Sequence, residues 1–63
     1  MLVFGYKGTP DWTKVKAAFK RCTDLSPSEI EKAVKQIRTG STVQIPNDFV
    51  LHDELKELGI LVK

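Results

Sequence analysis

The sequence predicts a small α+β protein, a single two-layer sandwich of order β-α-α-β-α-β whose three-stranded sheet is covered on one face by three helices. Three segments place apolar residues at steps of three and four, which predicts amphipathic helices. Three short apolar or alternating runs lie between or beside them and predict strands. Because the chain has only 63 residues, we expect one compact domain over residues 1–63.

The chain begins with a predicted strand followed by a helix. Leu2–Tyr6 is apolar and partly aromatic, and Gly5 within it is typical of a bulge or a close backbone approach. Thr9 can cap the first helix with Pro10 at its first position, where the missing N–H of proline costs nothing. The helix then presents one apolar stripe, formed by Trp12, Val15, Ala18, Phe19 and Cys22.

The second helix has the most complete start signal in the chain. Ser26 can accept a hydrogen bond at the N-cap, and Pro27 follows at the first helical position. Glu29, three residues after Ser26, can close a capping box. Leu25 and Ile30 have the spacing of a hydrophobic staple.

The rest of this helix is predicted to extend to about Thr39. Glu31 precedes Lys35 by four residues, the favourable orientation for an ion pair on the helix surface. Gly40 is suited to the left-handed residue that follows a helix. The predicted buried face consists of Ile30, Ala33, Val34 and Ile37.

The last third of the chain predicts strand, helix and strand. Thr42–Ile45 alternates in polarity, as expected of a half-buried strand. Asn47 or Asp48 can cap the third helix, and Gly59 can end it. Ile60–Val62 is then the final strand. The apolar face of the third helix carries Leu51, Leu55 and Leu58.

Composition points to a soluble protein of a reducing compartment. The chain is 41% hydrophobic and 29% charged, as in ordinary globular domains. No run approaches the roughly 20 apolar residues of a membrane span, and the first residues lack the features of a secretory leader. One cysteine excludes an internal disulfide. We therefore expect a cytoplasmic protein with no membrane contact.

Few residues have the character of a catalytic or metal site. His52 is the only histidine, and its neighbours Asp53 and Glu54 do not converge with it on a helix. Cys22 lies in an apolar stripe, which favours a buried and unreactive thiol over a nucleophile. A domain of this size can hardly enclose a pocket. We expect no catalytic residues, no metal and no cofactor.

Charge distribution suggests where a partner would bind. The net charge is only +2, but five bases and one acid lie between Lys7 and Arg21, whereas acids dominate near the end. Lys14, Lys16, Lys20 and Arg21 form either a solvated helix face or a docking surface for an acidic partner. Trp12 is either a core residue or a half-exposed binding anchor.

The segment VKAAFKRCTDLSPSEIEKAV, residues 15–34, resembles the C-terminal domain of the bacterial ribosomal stalk protein, large-subunit protein seven/twelve. Residues 55–63 resemble that family's last helix, glycine and final strand. The resemblance implies the same order of elements over the whole chain. It also implies that the first two helices dock a larger protein, because the family lends these helices to translational GTPases through basic and apolar positions.

The chain departs from the family at several of those positions. Lys20 keeps a basic position, but Ala17 and Glu31 replace two others and Trp12 replaces another. Asp24 and Ser26 stand where the family has two junction glycines, and the loop before the last helix is shorter. The family's dimerisation domain and hinge have no counterpart here, so we expect the fold to be shared rather than the role of a stalk protein.

Two functions compete on this basis, with a structural or assembly role as a third. The first is a non-catalytic module that binds a larger protein partner through its first two helices, with Trp12, Lys16, Lys20 and Arg21 as contacts. The second is a nucleic-acid-binding domain of the winged helix-turn-helix type. Ser28, Glu29 and Glu31 open its would-be recognition helix, and the two glutamate carboxylates would repel phosphates. The sequence therefore favours protein binding.

Overall fold

Six elements follow one another in the predicted order in a computed structural model that describes all 63 residues. The strands are β1 (Leu2–Tyr6), β2 (Val43–Gln44) and β3 (Ile60–Val62). The helices are α1 (Trp12–Cys22), α2 (Pro27–Arg38) and α3 (Phe49–Glu57). The predicted α+β class and the β-α-α-β-α-β order are confirmed.

The sheet is antiparallel, with β1 between β2 and β3. Val3 pairs with Val43 on one side and with Val62 on the other. The register with β3 then shifts between Val3 and Gly5, so that Phe4 and Gly5 stand opposite Leu61. This shift is a β-bulge, as Gly5 predicted. It leaves Tyr6 paired with the buried Ile60 and therefore on the face of the sheet that carries the helices.

One apolar core joins all six elements. The helices α2 and α3 pack on the strands, and α1 packs on both of these helices. Phe19, Ile37 and Leu51 are fully buried, and each such side chain contributes about 1.5–3 kcal/mol relative to an exposed one. The core consists of Val3, Val15, Ala18, Phe19, Ile30, Ala33, Val34, Ile37, Val43, Ile45, Leu51, Leu55 and Ile60.

Local capping fixes the ends of α2 and α3 as the sequence predicts. The hydroxyl of Ser26 accepts from the Glu29 N–H at 3.2 Å, and the Glu29 carboxylate accepts from the Ser26 N–H at 3.2 Å. Gly40 follows α2 with φ of 86°. Asp48, rather than Asn47, caps α3 by accepting from the Leu51 N–H at 2.9 Å.

Two predicted boundaries were wrong. The N-cap of α1 is Asp11 rather than Thr9, because the Asp11 carboxylate accepts from the backbone N–H groups of Thr13 and Lys14. Pro10 therefore precedes the helix instead of opening it. β2 covers only Val43–Gln44 rather than residues 42–45. Ile45 still pairs with the chain start, because its N–H donates to the Met1 carbonyl at 2.9 Å and the Met1 ammonium donates to the Ile45 carbonyl at 2.8 Å.

One ion pair between α1 and α2 replaces the predicted pair within α2. Glu31 pairs with Lys16 of α1, whose Nζ lies 3.6 Å from Glu31 Oε1, and not with Lys35.

No helix of the structure combines the length and the apolar character that a membrane crossing requires.

Candidate functional site

The end of β1 and the start of α1 bring two aromatic rings together. Tyr6 is the last residue of β1, and Trp12 is the first residue of α1 because Asp11 caps the helix. The two rings meet edge to face, with centroids 5.1 Å apart and planes at 85°. This is one of the geometries that aromatic quadrupoles favour. Trp12 is thereby held half-buried at the rim of the core.

The last residue of α2 completes this aromatic contact. The guanidinium carbon of Arg38 lies 5.6 Å from the Trp12 ring centroid, within the range of a cation–π interaction. The hydroxyl of Tyr6 donates to the backbone carbonyl of Arg38 at 3.4 Å. Three separate elements therefore position the Trp12 side chain.

A cleft of about 910 Å³ opens beside these rings, between the β1–α1 loop, α1 and α2. We call it the Trp12 cleft. Four of its side chains are basic, whereas Glu31 is its one acidic residue. Its lining is Tyr6, Gly8, Thr9, Pro10, Trp12, Lys16, Ser28, Glu31, Lys32, Val34, Lys35, Arg38 and Thr39. An aromatic wall and a basic wall thus face the same space.

The basic wall is built by helical spacing. Lys32, Lys35 and Arg38 follow one another at steps of three along α2, which places them on one helix face. All three are exposed, and none takes part in an ion pair of the structure. Their charges are therefore available to an external anion.

Lys16 differs from these three because it already has an acidic neighbour. Its ammonium lies 3.6 Å from the Glu31 carboxylate, and both side chains are substantially exposed. An exposed pair of this kind is weak and screened by salt. Glu31 therefore holds Lys16 only weakly.

A second groove adjoins the cleft at the α1–α2 junction. It measures about 270 Å³ and is lined by Lys16, Ala17, Lys20, Leu25, Pro27, Ile30 and Glu31. We call it the junction groove. Lys16 and Glu31 belong to both depressions. Together the cleft and the groove form one continuous surface along the first two helices.

Arg21 lies apart from this surface. Its guanidinium forms an ion pair with Glu54 of α3, and it borders a small depression with Lys14, Glu57 and Leu58. The hydrogen bond to Glu54 raises the pKa of Arg21 above its ordinary value, with a further contribution from Cys22. The pair joins the basic first helix to the acidic third one.

The remaining reactive residues are not gathered into a site. Cys22 is half-buried rather than fully buried, and it packs against the edge of the core. His52 is half-buried, and its Nδ1 lies 3.6 Å from the exposed carboxylate of Asp53. No group of three or more His, Cys, Asp and Glu side chains is arranged to hold a metal ion.

Of the four predicted contact residues, the structure brings three together. Trp12 and Lys16 line the cleft, Lys16 and Lys20 line the junction groove, and Arg21 lies outside both. Sequence reasoning missed the basic wall of α2 and the ring of Tyr6. The steps of three from Lys32 to Lys35 to Arg38 were a usable signal for the basic wall.

Two further exposed apolar surfaces lie elsewhere. Phe49 is 92% exposed and Val50 is 60% exposed in the first turn of α3. Phe4 is 43% exposed on the sheet face opposite the helices, where the ammonium of Lys63 lies 5.8 Å from its ring centroid. Phe49 borders a depression of about 300 Å³ that includes Asp48 and Lys63, and Phe4 borders one of about 160 Å³ that includes Lys7 and Lys56. Neither depression has the four basic side chains of the Trp12 cleft.

Comparisons of the chain with family models, with curated proteins and with solved structures found no match. The resemblance to the ribosomal stalk domain stays a prediction from the sequence.

Proposed function

We propose that this protein is a small non-catalytic module that docks a larger protein partner through its first two helices. The observation that carries the proposal is the continuous surface formed by the Trp12 cleft and the junction groove. Trp12, Lys16 and Lys20 are its central contacts. Arg21, held by Glu54, lies apart from this surface.

The chemistry of this surface supports an acidic partner. Its basic side chains outnumber its single carboxylate, Glu31, so a negatively charged partner gains both orientation and association rate. A half-buried tryptophan is a frequent source of binding energy at protein interfaces. Trp12 supplies that anchor, and the lysines supply the surrounding charge.

Capture of the partner from a lysate of the native host tests the proposal. The variant Lys16→Glu with Lys20→Glu reverses two charges on the docking surface. Its matched control, Lys14→Glu with Lys56→Glu, reverses two charges on exposed lysines that line neither the cleft nor the junction groove. We expect the wild type and the control to retain the same protein band and the docking variant to lose it. Equal capture by both variants contradicts the proposal.

The winged helix-turn-helix alternative makes a different prediction. It requires α2 to enter the major groove, yet Glu29 and Glu31 lie in the first half of that helix. A duplex binder shows affinity that falls steeply as salt rises. We expect a random duplex to leave the amide resonances of α2 unchanged at low salt, and large salt-sensitive shifts there would favour the alternative.

A further inference from the structure

We infer that the Trp12 cleft binds an acidic peptide segment in an extended conformation, supplied by the partner protein. This inference rests on the proposed docking function and names the chemistry that one part of the surface recognises. It assigns the main contacts to Lys32, Lys35, Arg38 and Trp12, three of which lie outside the residues predicted from the sequence.

The length of the basic wall fits a short extended segment. An α-helix rises 1.5 Å per residue, so the backbone positions of Lys32 and Arg38 are separated by about 9 Å along α2. Alternate side chains of an extended chain lie about 7 Å apart on one face. Two carboxylates at alternate positions of a peptide therefore span the three basic side chains. The flexible stems of these side chains compensate for the difference between the two lengths.

The aromatic wall of the cleft is pre-formed for an apolar contact. The Trp12 ring is already fixed by the edge contact with Tyr6 and by the guanidinium of Arg38. A partner residue that packs on this wall does not have to order it first, which reduces the entropic cost of binding. The cleft thus combines an ordered aromatic surface with a row of cations that no internal carboxylate neutralises.

The single acid of the cleft favours a peptide over a nucleic acid. The carboxylate of Glu31 lies on the cleft wall beside Lys16. A nucleic acid carries a charge at every phosphate, so a strand that follows the cleft would place phosphates against this carboxylate. A peptide can place a neutral residue there and keep its carboxylates opposite Lys32, Lys35 and Arg38.

Trp12 is the only tryptophan of the chain, so its fluorescence reports directly on the cleft. The probe is an acetylated octapeptide of alternating glutamate and glutamine, with octaglutamine as the uncharged control and an eight-nucleotide oligothymidylate as the nucleic-acid control. We expect the alternating peptide alone to change the Trp12 emission in a saturable, salt-sensitive manner. Lys32→Gln with Lys35→Gln should weaken this binding roughly tenfold, whereas the matched pair Lys14→Gln with Lys56→Gln should bind as the wild type does.

Three outcomes overturn the inference: no saturable change with the alternating peptide, equal weakening in both variant pairs, or tighter binding of the oligothymidylate through the same lysines. The result is separable from the docking proposal. Suppose that Lys16→Glu with Lys20→Glu loses the captured partner. If Lys32→Gln with Lys35→Gln then still captures the partner and binds the acidic peptide with wild-type affinity, the docking proposal stands and the peptide inference fails.

Discussion

The ring of Tyr6 meets the ring of Trp12 edge to face, with centroids 5.1 Å apart. This contact joins the last residue of β1 to the first residue of α1 and fixes the aromatic wall of the cleft. The backbone carbonyl of Arg38 accepts from the Tyr6 hydroxyl at the same place. One tyrosine therefore couples the sheet to both of the helices that line the Trp12 cleft.

The coupling between the two rings is measurable. We expect a double-mutant cycle with Tyr6→Leu and Trp12→Leu to give a coupling free energy of about 0.5–1.5 kcal/mol, because edge-to-face pairs contribute that much beyond area burial. Urea unfolding followed by circular dichroism supplies the four stabilities. Tyr6→Phe keeps the ring contact and loses only the exposed 3.4 Å hydrogen bond to the Arg38 carbonyl, so its effect should stay below about 1 kcal/mol. Strictly additive effects of the two leucine substitutions would show that the rings do not interact.

The capping box at the start of α2 predicts a local stability effect. Ser26→Ala removes the hydroxyl that accepts from the Glu29 N–H and should destabilise the protein by about 1 kcal/mol. Ser41→Ala is the matched control, because Ser41 is exposed and outside any helix; its effect should stay within about 0.5 kcal/mol. Urea midpoints measure both. If Ser26→Ala destabilises the protein as little as the control does, the capping prediction is wrong.

The same box makes stability depend on pH through Glu29. Hydrogen bonds from Ser26 lower the pKa of Glu29 below its ordinary value of 4.5. A lowered folded-state pKa means that the stabilisation is fully present well above pH 4.5 and is lost as the pH falls through the lowered value. The stability difference between wild type and Glu29→Gln should therefore vanish in acid. An NMR titration of the Glu29 carboxyl carbon with a midpoint at or above 4.5 would disprove this.

Two glycines with similar backbone angles should differ in their response to alanine. Gly59 has φ of 88° and Gly40 has φ of 86°. Alanine at either position is strained in this left-handed backbone region and should destabilise the protein by roughly 1–2 kcal/mol. A Cβ at Gly59 would in addition lie 3.1 Å from the carbonyl oxygen of Lys7, whereas one at Gly40 meets nothing within 4 Å. Thermal unfolding should show Gly59→Ala to be the less stable variant. The reverse order would refute the crowding argument.

Local signals made much of the fold predictable. Ser26, Pro27 and Glu29 form their contacts within one helical turn, so the start of α2 could be predicted from their spacing alone. The period of the apolar residues likewise identified the buried faces of α2 and α3. The start of α1 was predicted wrongly because Thr9 and Asp11 are both acceptable caps, and only the backbone path after Pro10 decides between them.

The site was less predictable because long-range packing forms it. Tyr6 and Arg38 are 32 residues apart in the chain, yet one accepts a hydrogen bond from the other. The basic side chain of Arg21 looked equivalent to that of Lys20 in the sequence. Only the packing of α1 on α3 shows that Glu54 holds Arg21 away from the Trp12 cleft and the junction groove.

The most direct test of the central claim is a photo-crosslinking scan in the native host. A photoreactive residue replaces one exposed residue at a time: Ala17, Lys20 or Lys35 on the docking surface, and Phe4, Phe49 or Glu57 on the other faces. The account predicts the same crosslinked protein adduct from the first three positions and none from the last three. Adducts confined to Phe4, Phe49 or Glu57 would contradict docking through the first two helices.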